Sequence, residues 1–451
     1  MRDGMRALVS RRWIPLGVGA VLVLSLVMTA RIPEAGAGWR AAFVAIHLVG
    51  SAGLFVYLRR ATVSVRRLIG VAVVLRLLAL PMLPTLSDDG YRYLWDGLVA
   101  QEAQVSPYDY RPSDPVLAPW QSETVFKAMN SPAYYSVYPP ASQAVFRLST
   151  LGYRTVGWEA SWWMLKLLLV LAEGVGIVAL ARRVGATRAA YYAWSPLAVV
   201  EIAGQGHTEA LVVAGLGAAL WAGATRMPWA SVGVMVAALA KLYPFALLPM
   251  AWRRDGVWGV VASAALAVLL SVPVWSPDAG SHVRESLGLF LGTLDAFAAP
   301  YRALKALLYP LAGEAAGRWA SGALTAVFAS TAGVALLVDD GTRRGMLLSL
   351  ALVVVGFTLT AATLHPWYWL PLLFLYPLLE NRWIWWICAT STLGYIPYVL
   401  PGADLLVLTV GWGGAAVLAW KDPPQPAGHG ARSASSEAAV VADASTQRAS
   451  G

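Results

Sequence analysis

Long apolar runs, separated by short polar or basic interruptions, make up most of the chain, and they have the length that a lipid core demands. About 20 apolar residues in an α-helix, each rising 1.5 Å, cross roughly 30 Å of hydrocarbon. On that rule the pattern predicts helices over 13–31, 39–58, 65–83, 158–181, 189–203, 208–224, 228–252, 256–275, 315–338, 344–362, 366–380, 382–400 and 402–420. A shorter apolar stretch follows Tyr138-Pro139-Pro140 to about residue 151. The expected fold is all-α, a polytopic membrane helix bundle of about 12–14 hydrophobic segments with interfacial helices in its extracytoplasmic loops.

Composition agrees with the pattern. Hydrophobic residues are 58% of the chain and charged ones 13%, so many segments can enter lipid without exposing charge. The 34 Lys and Arg outnumber the 25 Asp and Glu, yet many stand in clusters between apolar runs. They read as topology signals and not as a nucleic-acid surface. Cys388 is the single cysteine, so no intramolecular disulfide forms.

Charge then orients the segments. Arg2, Arg6, Arg11 and Arg12 precede the first apolar run, which reads as an uncleaved anchor because a second run follows closely. With these residues inside, Arg59, Arg60, Arg66 and Arg67 also fall inside and the long polar excursion 84–138 falls outside. Its prolines and tyrosines suit an ordered loop. Keeping Arg182, Arg183 and Arg188 inside requires that the stretch ending near 151 only dips into the interface. Keeping Arg253 and Arg254 inside requires that the run 228–252 break at Lys241-Leu-Tyr-Pro244, which points Lys241 into a cavity on the outer side. A second outer loop is expected over 276–314, with Arg343, Arg344 and Arg382 inside and Leu-His-Pro-Trp-Tyr-Trp at 364–369 outside. Residues 1–420 thus form one membrane-embedded domain of the cytoplasmic (inner) membrane. The Ala-, Ser- and Gly-rich segment 421–451 reads as a disordered cytoplasmic tail.

One stretch stands out within this frame. Residues 87–97 read Ser-Asp-Asp-Gly-Tyr-Arg-Tyr-Leu-Trp-Asp-Gly, directly after the third apolar segment. As a helix it lines up Tyr91, Leu94, Trp95 and Leu98 in an apolar stripe suited to the bilayer surface, with Asp89, Arg92 and Asp96 opposite. Asp88 and Asp89 could simply cap that helix, where side-chain oxygens and negative charge are favoured. The outer side, however, also collects Glu201, His207, Glu209, Lys241 and His365. His207 and Glu209 could cap a helix junction, and His365 could belong to an interfacial aromatic belt with Trp367, Tyr368 and Trp369. Lys241 near a membrane midpoint is harder to explain so simply, because a buried ammonium needs a partner. Arg76, Lys166 and Glu173 read as internal contacts that fix helix packing.

Carboxylates, a lysine, histidines and aromatic rings at a membrane cavity suit glycosyl transfer from a lipid-linked phosphosugar. That reaction needs a base for the acceptor hydroxyl and positive charge for the departing phosphate. An Asp supplies the first; Lys241, Arg92 or His365, or a bound metal, supplies the second. Trp95, Trp367 and Tyr368 offer flat faces to a sugar. The chain lacks a Walker-type phosphate loop and a Gly-X-Ser-X-Gly elbow, which argues against an energy-coupled transporter and a serine hydrolase.

The chain resembles the GT-C superfamily of integral-membrane glycosyltransferases, and within it the bacterial polyprenol-phosphate-mannose-dependent α-mannosyltransferases. The motifs that carry the resemblance are SDDGYRYLWDG at 87–97, SVYPPASQAVF at 136–146, AWSPLAVVEIAGQGHTEA at 193–210, KLYP at 241–244 and LHPWYW at 364–369. The resemblance implies a base, or its metal-assisted equivalent, at Asp88 or Asp89 and inverting transfer of a hexose. From the outer-face cluster itself, donor-phosphate contacts are expected from Lys241, Arg92 and His365, and substrate contacts from Tyr91, Trp95, Asp96, Tyr108, Tyr138, Glu201, His207, Glu209, Trp367 and Tyr368. The partners implied are a polyprenyl-phosphate sugar, a glycan or glycolipid acceptor and the bilayer. No cofactor is specified, though a divalent metal, Mg or Mn, is compatible. Ser106-Pro107-Tyr108, Trp194-Ser195-Pro196 and Gly206-His207-Thr208-Glu209 depart from the family's usual Asn-Pro-Tyr, Trp-Asn-Pro and Gly-His-Asn-Asp, which leaves the sugar and acceptor open. A non-enzymatic translocator of lipid-linked sugar is the alternative.

Overall fold

The computed structural model of the protein describes residues 37–222, 228–293 and 295–421. The expected helix 13–31 with its basic flank, Arg226, and the expected tail beyond Lys421 lie outside them. Among the described residues the elements are helices without strands. Six stretches of the described residues are long and apolar enough to cross a membrane: Gly38–Leu58, Tyr153–Val184, Tyr243–Ser271, Ala299–Leu337, Arg343–Thr360 and Asp404–Lys421.

Several of the remaining apolar runs are interrupted by identifiable breaks. Pro196 cannot continue the helix Ala186–Ala193, so the run 189–203 turns at Trp194-Ser195 into Pro196–Ala198 and a π-helical turn, Val199–Gly204. Pro366–Trp369 is a 3₁₀ turn before Leu370–Leu379, and Arg382–Thr390 runs into another, Ser391–Tyr395. The run 228–252 breaks where parity requires it: Trp229–Ala238 stops, and Tyr243–Leu247 forms a 3₁₀ turn around Pro244. The second half begins at Leu248 and is interrupted at Gly256, whose backbone is non-helical (φ 65°, ψ −156°), so the separate segment expected over 256–275 starts at that break and runs on to Ser271.

The expected loops differ in kind. Over 84–138 the chain is ordered, with helix Asp89–Leu98 and short turns at Pro115–Trp120 and Thr124–Ala128 that bury Leu117 and Val125. Over 276–314 the chain is largely helical, Ala279–Thr293 and Ala299–Ala312. Pro140–Ser149 is a helix of 10 residues, about half the length needed to span.

Packing follows side-chain size. Glu209–Ala222 is buried nearly all round between Tyr153–Val184 and Trp229–Ala238. Gly215 and Gly233 let two of these backbones touch: a Cβ on Gly233 would lie 2.6 Å from the Gly215 carbonyl oxygen. Deeper still, Arg76 donates from Nε and Nη2 to Glu173 at 2.7 and 2.6 Å, and from Nη1 to the Ala193 carbonyl at 2.8 Å. Both side chains are buried. Removing one charge of such a pair strands the other, so Glu173→Gln should lower the unfolding free energy in micelles by about 3–5 kcal/mol. Arg76→Met with Glu173→Leu should recover most of it; equal losses in single and double variants would mean that the pair is not the cause.

Candidate functional site

The acidic stretch begins a helix, but its carboxylates do not cap it. Ser87 Oγ accepts the Asp89 N–H at 3.2 Å, and Asp88, at the N-cap, makes no side-chain capping bond. The two carboxylates part company: Asp88 is exposed, while Asp89 turns inward, with the Tyr93 hydroxyl donating to its Oδ2 at 3.4 Å. Burial lifts the Asp89 carboxyl to about 6; the Lys241 ammonium opposes that rise, and Glu209 and Asp88 add to it. Partial desolvation also raises the Asp88 carboxyl, with Arg40 opposing.

The helix Asp89–Leu98 does not lie on a surface. Its apolar stripe is covered by protein, with Leu94, Trp95 and Leu98 at most 1% exposed and Trp95 against Phe126 at 5.2 Å. Its polar face is covered too. Arg92 Nε donates to Asp96 Oδ1 at 2.8 Å and Nη1 to the Ser131 carbonyl at 2.9 Å, while Asp96 Oδ2 accepts from Ser136 Oγ and Gln143 Nε2. Of the expected site residues, Arg92, Trp95 and Asp96 therefore fasten the helix, with the buried Arg92 Nη2 left without a hydrogen bond. Tyr108 is a support as well, buried beside Trp275 and donating to the Tyr138 carbonyl at 2.5 Å. Tyr91 packs on Trp158 at 5.7 Å.

The others converge. Lys241, delivered by the helix break, places Nζ 2.9 Å from Glu209 Oε1 and 4.5 Å above the Tyr368 ring. The contact is an ion pair between a buried carboxylate and a largely buried ammonium. Glu209 opens its helix, where negative charge is favoured. The π-helical turn and Gly206 (φ +71°) bring round His207, whose Nδ1 lies 3.5 Å from the Tyr93 hydroxyl. His207 stacks on Trp367 at 3.9 Å and Trp367 on His365 at 4.6 Å, a column of three rings. Behind it Glu201 accepts from the Tyr395 hydroxyl at 3.0 Å and approaches His207 Nε2 at 3.4 Å. Tyr138 meets Tyr93 edge-on at 4.9 Å.

Two tyrosines link this cluster that the sequence reading passed over. Tyr93 stands four residues after Asp89, so helical spacing could have found it; Tyr395 is brought in only by tertiary packing. Among the described residues no three His, Cys, Asp or Glu side chains are grouped to hold a metal ion. No family model matches the chain, and no curated protein or solved structure matches it. What fold and site define is a helical protein with six candidate membrane spans among the described residues and a partly buried acid, lysine, histidine and aromatic cluster at a helix break.

Proposed function

We propose that the protein is a GT-C-like membrane glycosyltransferase. It moves a hexose, for which mannose is the first choice, from a polyprenyl-phosphate donor to a glycolipid or polysaccharide acceptor, with inversion, on the outer side of the cytoplasmic membrane. The observation that carries this reading is the Tyr93 hydroxyl standing between Asp89 and His207, two residues before Glu209, which in turn holds Lys241 over the Tyr368 ring, so that separate parts of the chain meet.

The chemistry assigns a role to each. Asp89 takes the proton of the acceptor hydroxyl as that oxygen bonds to the anomeric carbon, and the bond to the phosphate oxygen breaks on the opposite face. Lys241 stabilises the charge left on the polyprenyl phosphate, exchanging part of its contact with Glu209 for the phosphate. Leu242 and Phe245, 48% and 40% exposed beside Lys241, leave room for a lipid tail on the bilayer side. Trp367 and Tyr368 offer faces to the sugar.

The test is incubation of the purified protein with labelled polyprenyl-phosphate-mannose and a panel of glycan and glycolipid acceptors. Labelled product is expected; an intact donor with every acceptor defeats the reading. Donor moved across vesicles with no new glycosidic bond would instead identify a translocator.

The reading carries a pH dependence. A base is active when deprotonated, so turnover should fall with unit slope as pH drops below about 6. Stability should move the other way: with its carboxyl raised from 3.8 to about 6, the folded state holds the Asp89 proton more tightly than the unfolded chain, so stability declines as pH rises through that window. A pH–rate profile flat between 4.5 and 7 (roughly the range in which a carboxyl so raised titrates) would remove Asp89 as the base.

A further inference from the structure

The segment that carries the two aspartates, residues 80–90, is fastened to the molecule by three side chains that take no part in the proposed chemistry. Lys166, buried within Tyr153–Val184, donates from Nζ to the carbonyls of Leu80 and Met82. Trp162, one turn earlier, donates from Nε1 to the Met82 carbonyl at 2.9 Å and lies under the Lys166 ammonium at 4.9 Å. Gln205 accepts the N–H groups of Thr85 and Leu86 at 3.0 and 2.9 Å and donates to the Leu83 carbonyl at 3.1 Å. Every one of these bonds ends on backbone, so they specify where the segment runs whatever its side chains.

The Trp162 ring does more than anchor. It is fully buried, and two glycines press on the same edge of it. A Cβ on Gly90 would lie 2.6 Å from Trp162 Cζ3 and 2.8 Å from Cη2; a Cβ on Gly206 would lie 2.7 Å from Cη2 and 2.9 Å from Cζ3. Gly90 directly follows Asp89, and Gly206 directly precedes His207. One rigid indole therefore spaces the backbone of the acid from the backbone of the strongly turned loop that leads to His207 and Glu209, and neither side tolerates even a methyl group at that contact.

We propose that Trp162 is a positioning residue that sets the separation between Asp89 and the His207–Glu209 loop, with Lys166 and Gln205 holding the acid-bearing segment against it. The proposal rests on the reading of Asp89 as the base only for its effect on turnover; the spacing itself is independent of any reaction. A displacement of about 1 Å at a reacting group costs on the order of 100-fold in rate.

The test uses the full-length protein with Gly90→Ala, which pushes the acid helix off the ring, and with Gly90→Ala combined with Trp162→Phe. Phenylalanine lacks the outer ring atoms that the new methyl group would meet, so it makes room for it. Two quantities are measured: kcat and acceptor KM for transfer, and the pH midpoint for carbodiimide labelling of Asp89, resolved from Asp88 by fragment mass spectrometry. Gly90→Ala is expected to lower kcat about 100-fold with acceptor KM little changed. It should also move the labelling midpoint down from about 6 toward the ordinary carboxylate range. The double variant is expected to recover at least part of both. An unchanged midpoint in Gly90→Ala overturns the proposal, as does a loss that Trp162→Phe does not relieve. If the wild-type protein transfers no sugar, the reading of function fails by itself, and the labelling midpoints still decide the spacing.

Discussion

Asp89→Asn is expected to reduce sugar transfer about a thousandfold, within the range for loss of a general base, while expression and thermal stability in detergent hold or improve. Asp88→Asn should stay within about tenfold of the wild type, because a solvated carboxylate beside the site contributes mainly through screened electrostatics. The contrast comes from the different surroundings of the two carboxylates. Asp89 is turned toward Tyr93 and feels Lys241 and Glu209, whereas Asp88 is exposed and feels Arg40. Asparagine keeps the shape and the hydrogen bond from Tyr93 but cannot take a proton, and relief of a buried charge is the reason stability should not fall. Initial rates with labelled donor at saturating acceptor decide it. If Asp88→Asn is the inactive variant, the assignment of roles is reversed.

The second large effect concerns Lys241 and Glu209. Glu209→Gln leaves the buried ammonium without its anion and should destabilise the protein by about 3–5 kcal/mol. Lys241→Met strands the carboxylate and should cost a similar amount, together with a 100- to 1000-fold loss of turnover, about the value of a donor aimed at developing charge. The double variant should regain most of the stability and none of the turnover. Measuring activity per folded molecule separates the two contributions. If Lys241→Met loses activity only in proportion to its folded fraction, Lys241 serves packing and not phosphate.

Part of the site is legible in the amino-acid sequence. Lys241 was suspicious because an ammonium in an apolar run demands an explanation, and the structure supplies one in Glu209 and Tyr368. The break beside it followed from Pro244 and the placement of Arg253 and Arg254, and it occurs at the expected residues. Helical spacing in SDDGYRYLWDG foresaw a helix, and Asp89–Leu98 is one. The same spacing misjudged where its faces go. An amphipathic pattern says that two faces differ, not what covers them, and here Phe126, Ser136 and Gln143 cover faces assigned to lipid and water. Arg92, Trp95 and Asp96 moved from the site to its supports for that reason.

By itself the sequence determined the all-helical class, the apolar helices and the residues whose charge needed a partner. Those properties are local: they follow from a run of apolar side chains, the ring of a proline or the cost of one buried charge. Only the tertiary structure decided that Asp89 and not Asp88 faces inward, that Tyr93 joins it to His207, and that a single indole spaces the two loops. Each of those outcomes depends on contacts between residues far apart in the chain, chosen by the shapes of the surfaces that meet when the helices pack.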